Sequence, residues 1–150
     1  MTTTETCLRL PRALAGRITR WAQECYPQEA CGLLVGQIGT AGVEVLEVER
    51  LTNVERERAH DRYSVDPVEQ MGVEQRANAR GLSLVGVWHS HPDQAPIPSE
   101  TDRAAAWEGY SYLIVSSSAE TLDTAGDLRS WRLLDDRFEE QRVVIPPATR

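Results

Sequence analysis

Apolar residues recur at helical spacing near the beginning of the chain, between residues 12 and 26. They run from Leu14 to Cys25 along one side, and charged residues occupy the other side, as in an amphipathic helix. Pro27 cannot continue a helix, so the pattern predicts that the helix ends at Tyr26.

The runs that follow have the shorter period of strands. Residues 30–35 are a compact apolar run, which predicts a buried strand, and residues 43–49 largely alternate, as in a strand with one wet face. Residues 83–88 are mostly apolar and predict a central strand. The other predicted elements are strands at 7–10, 62–65 and 110–115, a helix at 67–80 capped by Asp66, a helix from Ser99 to about Gly109, and a closing hairpin of 127–134 with 138–144.

The order of these elements indicates the fold class. Helices alternate with strands early and strands close the chain, so we expect an α/β fold of three layers with a central mixed sheet. A length of 150 residues fits a single domain over 1–150, with a core at about 7–145 and a C-terminal tail at 146–150. A domain of this size needs no structural metal to fold, so a bound metal would serve chemistry.

Composition narrows the classes of partner. The formal net charge is -7, so the basic surface typical of nucleic-acid binding is missing and we expect no nucleic-acid partner. Cys7, Cys25 and Cys31 are odd in number and form no C-x-x-C pair, which fits a cytoplasmic protein. No run has the length of a signal peptide or a membrane span, so we expect no membrane association.

The residues with candidate chemistry follow the central strand. His89 and His91 come at its end, where positions two apart point the same way, so both imidazoles can face one metal ion. Asp102 follows across a proline-containing loop, and two imidazoles with one carboxylate suit catalytic zinc, Zn2+. Zinc lowers the pKa of a bound water toward ~7, and Glu29 is the candidate group that takes the proton.

Plainer interpretations remain for these residues. A His-x-His pair is often incidental, and Asp102 also fits the favourable position of an acid in the first turn of a helix. Ser99 stands three residues earlier and fits a helix N-cap in a serine-x-x-acid arrangement. Spacing alone therefore leaves both the metal site and these structural roles open.

The motifs taken together resemble a known family. The segment 89–92, Ser99 and Asp102 match the pattern H-S/T-H-P-x6-S-x-x-D without a gap, and the stretch 27–36 matches the family's glutamate-plus-glycine strand. The chain therefore resembles the JAMM metalloproteases, the catalytic members of the MPN-domain family.

This resemblance implies a curved central sheet flanked by helices and a role for each site residue. It implies that the chain is a zinc metallopeptidase. The implied zinc ligands are His89, His91 and Asp102, the implied general acid/base is Glu29, and the implied stabiliser of the oxyanion is Ser99.

Asn53 and the run 62–67 make the chain most similar to the compact stand-alone prokaryotic branch of the family. That branch implies hydrolysis of the amide bond after the C-terminal diglycine of a ubiquitin-like or sulfur-carrier protein. The segment 53–63 lies where larger relatives carry a substrate-contacting insertion, so we expect it to contact the carrier. The carrier's tail is expected to lie extended along a sheet edge near the site, by strand addition.

Two other functions remain as alternatives. Some relatives keep the fold, lose the metal ligands and serve as non-catalytic scaffolds, whereas this chain retains all five site residues. A zinc hydrolase of small peptides or amides would use the same residues without any carrier protein.

Four further side chains have plainer interpretations. His60 lies in a charged loop and is expected at the surface, and Cys31 is expected to be a small buried thiol rather than a nucleophile. Trp107 is expected in the core or partly buried. Ser90 is expected to point away from the metal and support the ligands.

Overall fold

The computed structural model describes residues 7–119 and 127–147, which form eight strands and three helices. Most elements coincide with the apolar runs of the sequence. In chain order they are β1 (Cys7–Arg9), α1 (Arg12–Cys25), β2 (Cys31–Gly39), β3 (Gly42–Leu51), α2 (Pro67–Ala79), β4 (Ser83–Pro92), α3 (Glu100–Ala105), β5 (Ser111–Ser117), β6 (Leu128–Leu134), β7 (Arg137–Gln141) and β8 (Val143–Val144).

All eight strands form one mixed sheet that curls until its outer strands nearly meet. The order is β7-β6-β5-β4-β2-β3-β1-β8. The pairs β4–β5, β1–β3 and β1–β8 are parallel, and the other pairs are antiparallel. β7 and β8 lie at opposite ends of this order, yet only Arg142 separates them in the chain. Because one residue spans only about 3.5 Å, the two ends of the sheet must approach each other.

The two faces of the sheet bury separate cores. One core packs α1 against Leu34, Val85 and Leu113, and it also includes Leu8 of β1 and Val143 of β8. The other core packs α2 against alternate residues of β2 and against Leu84 of β4. Successive residues of a strand point to opposite faces, so an apolar run such as β2 serves both cores. The predicted three-layer α/β fold with a curved mixed sheet is confirmed.

Helix α1 forms where the helical spacing predicts it, from Arg12 to Cys25. Ile18 is fully buried in the core, and Trp21 stacks on Trp88 of β4 with 5.8 Å between ring centroids. This contact fixes the C-terminal half of α1, from which the chain continues into the region of the candidate site.

Helix α2 also begins as predicted. The side chain of Asp66 accepts a hydrogen bond from the N–H of Val68 at 2.9 Å, and Pro67 occupies the first helical position. The helix ends at Ala79, shortly before Gly81, whose φ of 76° favours glycine.

Strand β4 is longer than the predicted 83–88 and continues to Pro92, with β2 along one edge and β5 along the other. The indole of Trp88 lies across Gly32 of β2 and donates to the carbonyl of Glu49 at 2.9 Å. A Cβ at Gly32 would lie 2.2 Å from the indole nitrogen, so only glycine allows this close approach. The strand that delivers both histidines is therefore packed tightly on its β2 side.

The third helix is shorter than predicted. α3 ends at Ala105 rather than near Gly109, because Ala106 is extended, with φ −81° and ψ 154°. This turn directs Trp107 outward, where 73% of its surface is exposed, so the prediction of a core or partly buried tryptophan is wrong. The N–H of Trp107 donates to the hydroxyl of Tyr112 at 2.8 Å instead of continuing the helix.

Two strand predictions also differ from the structure. The segment 62–65 forms no strand and makes one isolated bridge, between Val65 and Asn53, because the Asn53 side chain binds the backbone that a strand would use. The closing hairpin forms from β6 and β7 around Asp135 and Asp136. Its predicted last residues instead become β8 and pair with β1.

The predicted extent of the domain, 1–150, stays a prediction. Residues 1–6 and the last residues of the predicted tail, 148–150, lie outside the described residues. Across the described ranges, no helix is both long and apolar enough to cross a membrane.

Candidate metal centre

His89 and His91 lie near the end of β4, on one side of the strand, and only 1% and 3% of their surfaces are exposed. Asp102 is the third residue of α3. Its Oδ2 lies 3.2 Å from Nε2 of His91 and 3.7 Å from Nε2 of His89. One potential ligand atom of each residue lies within 4.8 Å of the others. The structure thus brings together the three predicted ligands, here called the triad.

The ring of His91 is oriented by its second nitrogen. Nδ1 lies 2.9 Å from the carbonyl oxygen of Ala95, and a ring N–H is the only group there that can donate. This contact leaves the Nε2 lone pair directed towards Asp102, as a metal ligand requires. Burial lowers the pKa of His91, but hydrogen bonds to Asp102 and Ala95 raise the pKa above its ordinary value. A metal would therefore compete with a proton at this nitrogen.

Asp102 is held by the first turn of α3. Its N–H donates to Oγ of Ser99 at 3.0 Å, and the N–H of Ser99 donates to Asp102 Oδ2 at 2.8 Å, which forms a capping box. Burial raises the pKa of Asp102, whereas His91, His89 and the Ser99 backbone lower it, to about 2 overall. The carboxylate is therefore ionised at neutral pH, and its orientation is fixed without a metal.

Glu29 reaches the triad from far earlier in the chain. It stands two residues before β2 and is 4% exposed, and its Oε1 lies 3.3 Å from Nδ1 of His89. Among the described residues, neither of these buried atoms has a hydrogen-bond partner. Buried polar atoms without partners are uncommon in folded proteins and indicate a site for a ligand, an ion or water.

The donor set of the site fits a zinc ion. Imidazole is a borderline ligand that suits zinc, a carboxylate oxygen also binds zinc, and three protein ligands leave further positions for water or substrate. The orphaned atoms of Glu29 and His89 lie beside that set. The residues present therefore fit the metal that the resemblance implies.

Ser90 lies between the two histidines and points away from them, as predicted. Its Oγ accepts a hydrogen bond from the N–H of Ala30 at 2.8 Å, and its own N–H donates to the carbonyl of Ala30 at 3.0 Å. Ala30 follows Glu29 directly, so Ser90 connects the strand of the triad to the segment that carries Glu29.

Two contacts in the site have no equivalent in the sequence-based prediction. The ring of Tyr63 stacks on His89, with 4.4 Å between centroids. Asn53 donates from its side-chain amide to the carbonyl of Glu29 at 3.1 Å. Both residues belong to motifs matched to the family, but neither has a periodic spacing that would indicate its partner.

A cavity of about 290 Å³ opens beside Asp102. Aromatic rings form part of its wall, and the lining residues come from the segment after residue 62, from α2, β4 and β5, and from α3 with the residues after it. The lining includes Tyr63, Val65, Val87, Ala105, Trp107 and Tyr110. The triad thus borders a space large enough for a short stretch of peptide.

The plainer predictions for two other residues are confirmed. His60 is exposed, and its ring lies 3.8 Å from the neighbouring carboxylate of Asp61. Cys31 is fully buried, and burial raises the pKa of its thiol to about 12. A neutral buried thiol is a poor nucleophile, so Cys31 has a packing role.

The α/β fold gathers two imidazoles, a carboxylate and a buried glutamate at the end of one strand. Proteins with such a site form a class that is suited to hold a divalent metal. The family model described as prokaryotic homologs of the JAB domain matches residues 11–134. The chain belongs to this family, and its resemblance to stand-alone JAMM proteins is confirmed.

Curated relatives agree with this assignment. The chain is 33% identical over 120 residues to desampylase of Haloferax volcanii, with 79% of each chain covered. It is 28% identical over 132 residues to CysO-cysteine peptidase of Mycobacterium tuberculosis, which covers 88% of this chain and 86% of the relative. These similarities support a hydrolase.

Solved structures have the same fold. A solution structure of a protein from Desulfitobacterium hafniense matches with a TM-score of 0.82 and 27% identity, over 94% of both chains. A solution structure of a protein from Salinibacter ruber matches with a TM-score of 0.67 and 32% identity, over 92% of this chain and 90% of that one.

Proposed function

We propose that the protein is a zinc-dependent peptidase that hydrolyses the amide bond after the C-terminal diglycine of a ubiquitin-like or sulfur-carrier protein. The observation that carries this proposal is the position of Glu29, whose unpartnered Oε1 lies against the triad inside a buried site. The names of the two curated relatives, a desampylase and a CysO-cysteine peptidase, support the class of substrate.

In this proposal His89, His91 and Asp102 hold the zinc ion. When bound, zinc supplies a Lewis acid that polarises the scissile carbonyl and activates water. The capping box and the Ala95 carbonyl hold Asp102 and His91 in place before metal or substrate arrives. The protein therefore loses little free energy in ordering the ligands.

Glu29 is the proposed general acid/base. Its carboxylate accepts a proton from the attacking water and later delivers that proton to the leaving amine. The unpartnered Oε1 leaves one lone-pair region of this carboxylate available for the proton transfer. The surrounding burial excludes bulk water that would otherwise compete for the same proton.

Ser99 is the proposed donor to the oxyanion. Its Oγ accepts a hydrogen bond from the N–H of Asp102, so the hydroxyl proton remains free to donate. A donor aimed at charge that develops only in the transition state accelerates the reaction selectively. The same side chain can thus cap α3 and assist hydrolysis.

A diglycine tail suits the approach to this site. The two histidines are almost completely buried, so only a backbone without side chains can bring a carbonyl close to them. β4 pairs with β2 as far as His89 and with β5 from Gly86 to Pro92, and Ala30 accepts the next N–H on the β2 side, so the edges of β4 next to His89 are occupied. We propose instead that the extended tail runs through the cavity beside Asp102 and Val65, and that the segment 53–63 contacts the body of the carrier.

The test uses zinc-loaded protein and ubiquitin-like carriers that end in Gly-Gly plus one extra residue or a lysine-linked peptide. Intact mass spectrometry should show loss of the extension and a product that ends in Gly-Gly. Carriers with Ala-Ala at the same positions should be cleaved far more slowly. Cleavage of free dipeptides but of no carrier would establish the small-peptide hydrolase, and no cleavage of either substrate would favour the scaffold.

Trp107 provides a test of the proposed tail position. It lines the cavity and is 73% exposed, so a bound tail would cover it. Trp107→Ala should raise KM for a carrier substrate by about fivefold, with kcat and thermal stability nearly unchanged. The exposed Ile38, on the far part of β2, offers a matched control, and Ile38→Ala should leave KM unaltered. An unchanged KM in the Trp107 variant would place the tail elsewhere.

A further inference from the structure

The segment 53–64, here called the Asn53 loop, is organised around one side-chain amide. All four hydrogen-bonding positions of this amide are used, two as donor and two as acceptor. Nδ2 donates to the carbonyls of Glu29 and Arg62 at 3.1 Å each, and Oδ1 accepts from the N–H groups of Glu55 and Ser64 at 3.0 Å each.

We propose that Asn53 is a positioning residue that fixes Glu29 against the triad through this loop. The inference rests on the proposed function for the role of Glu29, but the contact itself can be tested without any substrate. Glu29 lies outside regular structure, between α1 and β2, so no strand or helix pairing holds its backbone.

The loop holds the backbone of Glu29 from both sides of the residue. The N–H of Glu29 donates to the carbonyl of Ala59 at 2.6 Å, and its carbonyl accepts from Asn53 at 3.1 Å. Ala59 is the buried residue in an otherwise charged stretch, as expected for the point where the loop meets the site. Both backbone polar groups of Glu29 are thus satisfied by the Asn53 loop.

The carboxylate of Glu29 depends on this backbone support. Its buried Oε1 has no hydrogen bond among the described residues, so no hydrogen bond of that atom compensates for an error in backbone position. The same loop places Tyr63 on the ring of His89. A displaced loop would therefore move the proposed acid/base and loosen the packing of one ligand at the same time.

Asn53→Asp removes the two donor bonds of the amide and keeps its acceptor bonds. Aspartate has nearly the same shape and still accepts from Glu55 and Ser64, but it places an oxygen against the carbonyls of Glu29 and Arg62. Both donor bonds are then replaced by repulsion between acceptors. Asn78, exposed near the end of α2, provides a matched control because Asn78→Asp makes the same chemical change far from the loop.

Amide hydrogen exchange in the metal-free protein is the first test. In the unaltered protein the Glu29 amide should exchange together with the amides of Glu55 and Ser64, and faster than that of Leu33 in β2. Asn53→Asp should speed exchange at Glu29 by about tenfold or more, while Asn78→Asp leaves it unchanged. The proposal would be overturned if the Glu29 amide exchanged as slowly as that of Leu33, or if Asn53→Asp left its exchange rate unchanged.

Kinetics and metal content distinguish a positioning role of Asn53 from a role in fold stability alone. With a carrier substrate, Asn53→Asp should lower kcat by about 10–100-fold, as loss of outer-shell support often does, while zinc content stays as in the parent protein. KM should rise by a smaller factor than kcat falls, because the substitution keeps every residue that lines the cavity and only shifts Tyr63 and the loop that carries it. A rise in KM with unchanged kcat would assign Asn53 to carrier binding alone and contradict the positioning role.

Asn53→Ser covers the case in which the aspartate variant does not fold. Serine keeps one donor and one acceptor but is too short to bridge all four partners. It should give intermediate exchange at Glu29 and an intermediate kcat. Exchange and kcat equal to those of the parent protein would show that the amide is dispensable.

Discussion

The two halves of the candidate site are built in different ways. The triad stands on regular elements, with both histidines in a strand paired along both edges and Asp102 in a helical turn closed by a capping box. Glu29 stands on an irregular connection and is held by the Asn53 loop and by the Ser90 contact next to it. The triad obtains its geometry from secondary structure, and Glu29 obtains its position from distant contacts.

This difference predicts how each half responds to change. Strand pairing and helix capping involve many cooperative bonds, so the triad should keep its arrangement when a surface contact is lost. The position of Glu29 depends on a few hydrogen bonds between segments far apart in sequence. Substitutions around Glu29 should therefore reduce activity without releasing the metal, and substitutions in the triad should release it.

The largest effect is expected for the triad itself. Asp102→Asn keeps an acceptor for the capping box but removes the charge, and His89→Ala removes an imidazole. Each should lower zinc content from about one per chain to a small fraction, as three protein ligands are typical of such sites. Hydrolysis should fall by more than ~100-fold, beyond the loss typical of outer-shell changes. His60→Ala is the exposed control, and full zinc in the triad variants would contradict the ligand assignment.

Glu29→Gln should give the next largest effect. It should also show that loss of hydrolysis and loss of metal have different causes in the two halves of the site. The amide cannot accept and return a proton, so hydrolysis should fall by about 10²–10⁴-fold. Zinc content, measured by atomic spectroscopy, should remain at the parent level because the triad is unchanged. Glu24→Gln alters an exposed carboxylate paired with Arg50 and serves as the control. An active Glu29→Gln variant would contradict the assignment of Glu29 as the general acid/base.

Ser99 has two roles in this account. It caps α3, the helix that carries Asp102, and it is the proposed hydrogen-bond donor to the oxyanion. Ser99→Ala should cost ~1 kcal/mol of stability through the lost cap and about 10²–10³-fold in rate through the lost donor. Ser99→Gly should lower the rate equally but cost only a few tenths of a kcal/mol. Ser99→Thr should retain both properties. Denaturant unfolding and kcat measure the two effects, and a fully active glycine variant would leave Ser99 as a cap only.

The smallest effect is expected at the connection between the halves. Ser90→Ala leaves the buried N–H of Ala30 without its side-chain acceptor, which should cost about 1–3 kcal/mol of stability. Ser111 is equally buried in the neighbouring strand, but its Oγ has no hydrogen-bond partner within the described ranges. Ser111→Ala should therefore be neutral or stabilising. Equal losses in the two variants would mean that the Ser90 bond contributes little.

The sequence predicts the regular elements and the gathering of the site residues well. Helix α1 and the central strands follow their apolar spacing closely, because burial against a sheet imposes that spacing. The structure brings His89, His91 and Asp102 together, as the family resemblance implies, whereas strand alternation alone indicates only that the two histidines share one side of β4. The roles of these residues in hydrolysis stay predictions.

The features that sequence does not predict depend on contacts between distant segments. Trp107 follows a run of alanines that favours a helix, yet the hydroxyl of Tyr112 binds its N–H and the chain turns outward. Asn53 is one of many polar residues in a charged stretch, and its partners include a backbone carbonyl 24 residues away. No local spacing indicates either partner.

The pairing of β1 with β8 has a consequence for biosynthesis. β1, at Cys7–Arg9, lies between β3 and β8, so one of its edges stays unpaired until Val143 and Val144 have been made. The triad and Glu29 are synthesised before that point, but the core shared by Leu8 and Val143 closes last. Folding of this sheet on the ribosome should therefore finish only after β8 has emerged, and nascent chains that stop before β8 should expose a strand edge open to aggregation.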